Sequence, residues 1–141
     1  MSVEENTAIV RRYIEEIWNR KNYAASADFI APTCTINGLP LGGPEGANAW
    51  AKEWHTYFPD QHKTIEEEIA TGDTVVMHFT EQGTHQGVLW GIPPTGKQVA
   101  WPVIAIFRLE DGKIVAIKAQ GDMLGLQQQL SSSATPAPVG A

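Results

Sequence analysis

Cysteine is nearly absent. Cys34 is the only one in the 141 residues, so no disulfide can form within the chain and the paired thiolates of a structural zinc site are missing. Its expected place is that of a small buried residue. Long apolar runs are also absent: none approaches the roughly 18 residues of a membrane span. The start MSVEENTAIV is acidic and polar, unlike a charged-then-apolar signal segment. These absences predict a cytoplasmic protein with no membrane partner. Basic charge is scarce, with ten Lys and Arg scattered against sixteen Asp and Glu and a net charge of -6. That balance works against binding a polyanion, so nucleic acid is not an expected partner.

Patterns for metals and nucleophiles are equally thin. His55, His62, His78 and His85 form no HExxH or other close pair on one helix, and no metal site is expected. No Ser or Cys sits in a GxSxG elbow, which leaves covalent acyl chemistry without support. The stretch GIPPTGKQ, residues 91–98, approaches the phosphate loop GxxxxGK[ST], but Gln98 replaces the hydroxyl residue that would hold magnesium. Pro93 and Pro94 also remove two cradling N–H groups, and the segment that follows reads as strand, so this is a connecting loop.

What is present is enough apolar residue, 43% of the chain, for one domain over residues 1–130. Ser2 and Glu5 have capping-box spacing, and Ile9, Tyr13, Ile17 with Val10, Ile14 and Trp18 predict a helix over 3–20. A shorter helical piece over 22–30 is followed by a short strand over 33–37. A third amphipathic helix begins after Pro44 and carries Trp50 and Trp54. Four strands then form a meander over 63–70, 74–84, 99–109 and 113–120, split at Gly72-Asp73 and Asp111-Gly112. In the first of them Ile65 and Ile69 should face the core, with Glu66 and Glu68 facing water. Asp60 and His62 read as solvated turn residues. Residues 131–141, SSSATPAPVGA, lack charge and large apolar groups and predict a disordered tail. The class is α+β.

The last hairpin bears on function. If Asp111-Gly112 is a two-residue type I′ turn, Glu110 faces Lys113, and counting back pairs Ala105 with Lys118, Val103 with Gln120 and Trp101 with Asp122. Lys118, Gln120 and Asp122 would then point to where the tryptophans of the helices close over the sheet, the profile of an apolar cavity with a polar floor. A one-residue bulge would turn the set outward and make Lys118 an ordinary solvated lysine. The other face, with Ile104, Ile106 and Ile117, is too apolar for water and predicts a homodimer. Asp122 has a second reading as N-cap of the last helix.

Chain order, together with FPD, GTHQG, GIPPTGK, IFRLEDGKI and GDMLGLQQQL, resembles the SnoaL-like polyketide cyclase family of the NTF2-like superfamily over nearly residues 5–130. The resemblance implies an NTF2-like cone, a curved antiparallel-rich sheet wrapped around N-terminal helices enclosing a pocket for a flat polyketide. It also implies a dimer or tetramer, and an intramolecular aldol closure that uses neither metal nor cofactor. The aspartate that acts as general acid/base there matches Asp122, and Trp50 matches a lining position. The chain departs from the family where the cyclases carry a Gln and a His, having Val103 and Ala105. Lys118, opposite Ala105 in the count above, could fill the histidine's space. Asp122 and Lys118 are thus the candidate catalytic residues, with Gln120, Trp101, Trp50, Trp54, His85 and Asn37 as candidate contacts for a small apolar or aromatic molecule. Two other functions fit the same scaffold: an epoxide hydrolase or isomerase, and a non-catalytic binder of hydrophobic ligands.

Overall fold

The capping box at the start of the chain forms as the spacing requires: Glu5 N–H donates to Ser2 Oγ at 3.0 Å and Ser2 N–H to Glu5 Oε1 at 3.1 Å. In the computed structural model, which describes residues 1–132, it opens helix α1 (Val3–Tyr13). The predicted helix to residue 20 changes type part-way, because Ile14–Asn19 is π-helical. The wider turn sets residues five apart above one another, and the Trp18 indole donates to the Tyr13 hydroxyl at 3.1 Å. The shorter helical piece expected over 22–30 is a 3₁₀ segment, Tyr23–Asp28.

Strand β1 (Ile30–Ile36) is longer than predicted and contains Pro32. Its parallel pairing with the last strand is irregular between Ile30 and Thr35, which accommodates a residue that cannot donate to the ladder. After the short β2 (Leu39–Pro40), helix α2 (Gly43–Tyr57) starts from Gly42 in the left-handed region, with Pro44 in its first turn. The predicted meander follows as β3 (His62–Thr71), β4 (Thr74–Thr84), β5 (Gln98–Glu110) and β6 (Lys113–Gly121), before helix α3 (Met123–Ser131). The strands form an open, curved six-stranded sheet in the order β2-β1-β6-β5-β4-β3. α1, the π-helical turn and α2 lie on its inner face, and the core forms between.

Two one-residue irregularities overturn expectations about facing. At the last hairpin, Asp111 and Gly112 both have positive φ, as a type I′ turn needs, and Glu110 pairs with Lys113. The register then shifts between Arg108 and Leu109, leaving Val115 as the extra residue. Ala105 consequently pairs with Ala119, Ile106 with Lys118 and Ile104 with Gln120. Lys118 therefore stands on the outer face, exposed, and the expected inward lysine opposite Ala105 is corrected. In β3 the shift falls between Ile65 and Glu67, so Ile65 packs on the core while Ile69 is 64% exposed.

The loop that resembled a phosphate cradle connects β4 to β5. Its Lys97 ammonium donates to the carbonyls of Gln129 and Leu130 at 3.2 and 3.4 Å, where the α3 dipole is negative. Asp60 is more than a solvated turn residue: its carboxylate accepts both the backbone N–H and the hydroxyl of Thr84, at 2.6 and 2.7 Å. Cys34 is buried as expected, and burial pushes its thiol up to about 11. Of the predicted tail, Ser131 closes α3 and residues 133–141 lie outside the described residues.

Candidate functional site

Between α2, the π-helical turn and the inner face of the sheet lies a cavity of about 260 Å³. Four of the five tryptophans wall it: Trp18, Trp50, Trp54 and Trp101. Their placement follows from local structure. The π-helical turn carries Trp18, which meets Trp50 edge-on at 5.1 Å between ring centroids. The four-residue spacing of α2 sets Trp50 and Trp54 on one face. Trp101 comes from β5, with Trp54 at 6.0 Å and Phe58 at 5.0 Å. Large apolar surface with few polar groups is the usual make-up of a small-molecule site.

The polar groups of the cavity are led by Lys63 and Glu81. They are direct cross-strand partners on β3 and β4, next in the row to Trp101, which pairs with Glu81. Lys63 Nζ lies 2.7 Å from Glu81 Oε1, and the two side chains are only 8% and 7% exposed. Gln61 Nε2 donates to the same Oε1 at 2.6 Å. The ammonium also stands 4.0 Å above the Trp18 ring centroid, a favourable face for a cation. Burial pushes the Lys63 ammonium below its usual range, with Glu81 acting in the opposite direction. Asn19, at the end of the π-helical turn, fixes the backbone here: its Oδ1 accepts from Lys63 N–H at 2.8 Å and its Nδ2 donates to the Lys63 carbonyl at 3.0 Å. That two-bond clamp ties the start of β3 to the helix that carries Trp18.

Behind the tryptophans, His55 Nδ1 lies 2.6 Å from the Tyr23 hydroxyl and Nε2 lies 2.9 Å from the Trp18 carbonyl. Burial holds this imidazole below its usual range, and its contacts serve to seat Trp18.

Of the candidate contacts, Trp50, Trp54, Trp101, Asn37 and Gln120 border the cavity. Asn37 has a positive φ of 50° and accepts from Ala119 N–H through Oδ1 at 2.9 Å. Gln120 is an exposed residue that still reaches the lining. His85 does not: it is fully buried in the β4–β5 connection, where its Nδ1 accepts from Thr95 N–H at 3.2 Å, and the expected contact is corrected. Lys118 is absent from the lining for the register reason above.

Asp122 is exposed, and its neighbours Gly121 and Met123 border the cavity while it does not. Its Oδ1 accepts from Gly125 N–H at 2.8 Å, the N-cap bond of α3. Asp122→Ala should therefore lower stability by about 0.5–2 kcal/mol, whereas Asp122→Asn, which keeps a capping oxygen, should not. Urea denaturation of the two variants checks this.

Lys63, Glu81 and Gln61 were not picked out from the sequence. A signal existed: Lys63 is two residues from the core-facing Ile65, so strand alternation already placed it inward.

The sequence profile of the SnoaL-like polyketide cyclases matches residues 8–130. The aklanonic acid methyl ester cyclases DauD of Streptomyces sp. (strain C5) and DnrD of Streptomyces peucetius are each 32% identical to this chain over 139 residues. The matches cover 94% of the chain and, respectively, 84% and 94% of the relatives. A candidate polyketide cyclase from Acidithiobacillus ferrooxidans superposes with a TM-score of 0.81 at 30% identity, covering 95% of this chain and all of that one. TsrD from Streptomyces laurentii shares the fold, with a TM-score of 0.84 at 23% identity over 93% of this chain and 98% of its own.

Proposed function

Because the chain belongs to the SnoaL-like polyketide cyclase family, we propose that it closes a ring in a flat, apolar ketone by intramolecular aldol addition within the tryptophan-walled cavity. The observation that carries this reading is the cavity itself, walled by aromatic side chains and served by few polar groups. The reaction needs only proton transfers. A base removes a proton alpha to one carbonyl, the carbanion forms a carbon–carbon bond to a second carbonyl, and the resulting alkoxide takes a proton back. Substrate and product have the same mass, and no metal or cofactor enters the scheme.

Asp122 is the proposed acid/base. It stands between two lining residues, and no hydrogen bond is made to its Oδ2 among the described residues. The cap bond to Oδ1 fixes the carboxylate's direction and leaves the other oxygen to work at the edge of the cavity. Aklanonic acid methyl ester, which the relatives' names specify, is the first compound to assay. The expected result is an isomeric, ring-closed product, with turnover falling roughly 10²- to 10⁴-fold in Asp122→Asn. Unchanged turnover in that variant would remove Asp122 from the mechanism.

The exposure of Asp122 favours one competing reading, a non-catalytic binder of hydrophobic molecules. Recovery of bound ketones unchanged after long incubation would establish it.

We also propose that two copies pair through the outer sheet face, where Ile104 and Ile106 are 53% and 41% exposed. Sedimentation equilibrium should give a dimer, and a monomer at micromolar concentration would refute the pairing.

A further inference from the structure

Lys63 and Glu81 are where the cavity departs furthest from an apolar box. A buried ion pair adds little net stability over packed apolar residues of the same volume, so stability alone gives a weak account of this one. Its hydrogen bonds are also lopsided. Both Lys63 Nζ and Gln61 Nε2 are taken by Oε1 of Glu81, while Oε2 has no hydrogen bond among the described residues. Lys63 Nζ has three protons and, among the described residues, a single hydrogen-bonding partner, Glu81. Both residues border the cavity. A free carboxylate acceptor and a free ammonium donor thus stand side by side, under Trp18, at the wall of an aromatic chamber.

We propose that Lys63 and Glu81 form a recognition site for a phenolic or enolic hydroxyl group of the substrate. The hydroxyl donates its proton to Glu81 Oε2 and accepts from the Lys63 ammonium through its oxygen, and the ring that carries it lies among the tryptophans. Such an amphoteric pair suits a hydroxyl better than a plain carbonyl, which has no proton to give, or a carboxylate, which the Glu81 charge would repel. The cross-strand row runs Lys63, Glu81, Trp101 from β3 to β5. Asp122 lies one strand further on, its N–H bonded to the Pro102 carbonyl. At about 4.8 Å per strand, the two ends of that row are roughly 14 Å apart along the sheet. The pair therefore grips the substrate at the end away from Asp122. This assignment rests on the proposed ligand cavity but not on catalysis by Asp122.

The test uses two probes, 2-naphthol and 2-methoxynaphthalene, in the second of which a methyl group replaces the hydroxyl proton, titrated by tryptophan fluorescence. The unmodified protein should prefer 2-naphthol by roughly tenfold or more, and Lys63→Met/Glu81→Leu, which removes both charges together, should bind the two probes equally. In lysine side-chain NMR of the unmodified protein, the Lys63 ammonium resonance should shift with 2-naphthol only, a readout that does not depend on the variant folding. Equal affinity for both probes in the unmodified protein, or a preference that persists in the double variant, overturns the inference and leaves the proposed function standing. Failure to bind either probe removes the ligand cavity, and both proposals with it.

Discussion

Lys63→Met should lower the stability of the protein by about 3–5 kcal/mol, the usual consequence of removing one partner from a buried ion pair. Methionine matches the length of the lysine stem and fills the same space, so little of the loss comes from packing. The loss comes from Glu81, which is 7% exposed and would be left in the cavity wall without its cation, with the Gln61 amide as its remaining side-chain donor among the described residues. Replacing both, as in Lys63→Met/Glu81→Leu, removes the stranded charge and should recover most of the stability. Urea unfolding of the single and double variants measures the difference. If the single variant matched the parent, the pair would not be held in a dry environment, and the description of the cavity wall would be wrong.

Trp101→Ala should cost about as much, roughly 3–5 kcal/mol, for a different reason. The side chain is 1% exposed and carries the contact between sheet and helix: Phe58 lies 5.0 Å and Trp54 6.0 Å from its ring. The backbone around it is held on both sides, by β4 through Glu81 and by Asp122 N–H bonded to the adjacent Pro102 carbonyl, so collapse into the vacated space is limited. Trp101→Phe keeps an aromatic ring there and should lose much less. Thermal and urea unfolding of both variants distinguish a packing role from a tolerant surface, and a loss below 1 kcal/mol for the alanine variant would contradict the packing described.

The large features of the fold were legible in the sequence because each had a local physical marker. Capping-box spacing marked the start of α1, Pro44 the start of α2, and the two turn dipeptides the ends of the meander hairpins. Facing was legible only as far as alternation ran uninterrupted. Along β5 it did, and Trp101, Val103 and Ala105 are buried as counted. Across the hairpin it did not, because the extra residue at Val115 carries no glycine or proline to betray it. A single unmarked residue reverses a whole strand, and it sent Lys118 to the outer face. The extra residue in β3 did the same to Ile69.

The site was legible in its aromatic walls and much less in its charges. Tryptophans at helical spacing announce a buried face whatever its purpose, so Trp50 and Trp54 could be placed from sequence. Lys63 and Glu81 are 18 positions apart and meet only through the pairing of β3 with β4. Alternation from Ile65 turned Lys63 inward, but nothing local joined it to Glu81 until that pairing was known. Trp18 depended on the π-helical turn, which no local rule marked. His85, by contrast, is buried and holds the loop through Thr95.

The chain carries its own control for the central claim that the tryptophan-walled cavity is where an apolar substrate is held. Trp18, Trp50, Trp54 and Trp101 border it, while Trp90 lies in the β4–β5 connection, 47% exposed and outside the lining. Titrating 2-naphthol while following the five indole N–H resonances by NMR should move the four cavity signals together, with one affinity, and leave Trp90 in place. A titration that shifts Trp90 alone, or shifts none of the five, would contradict the account.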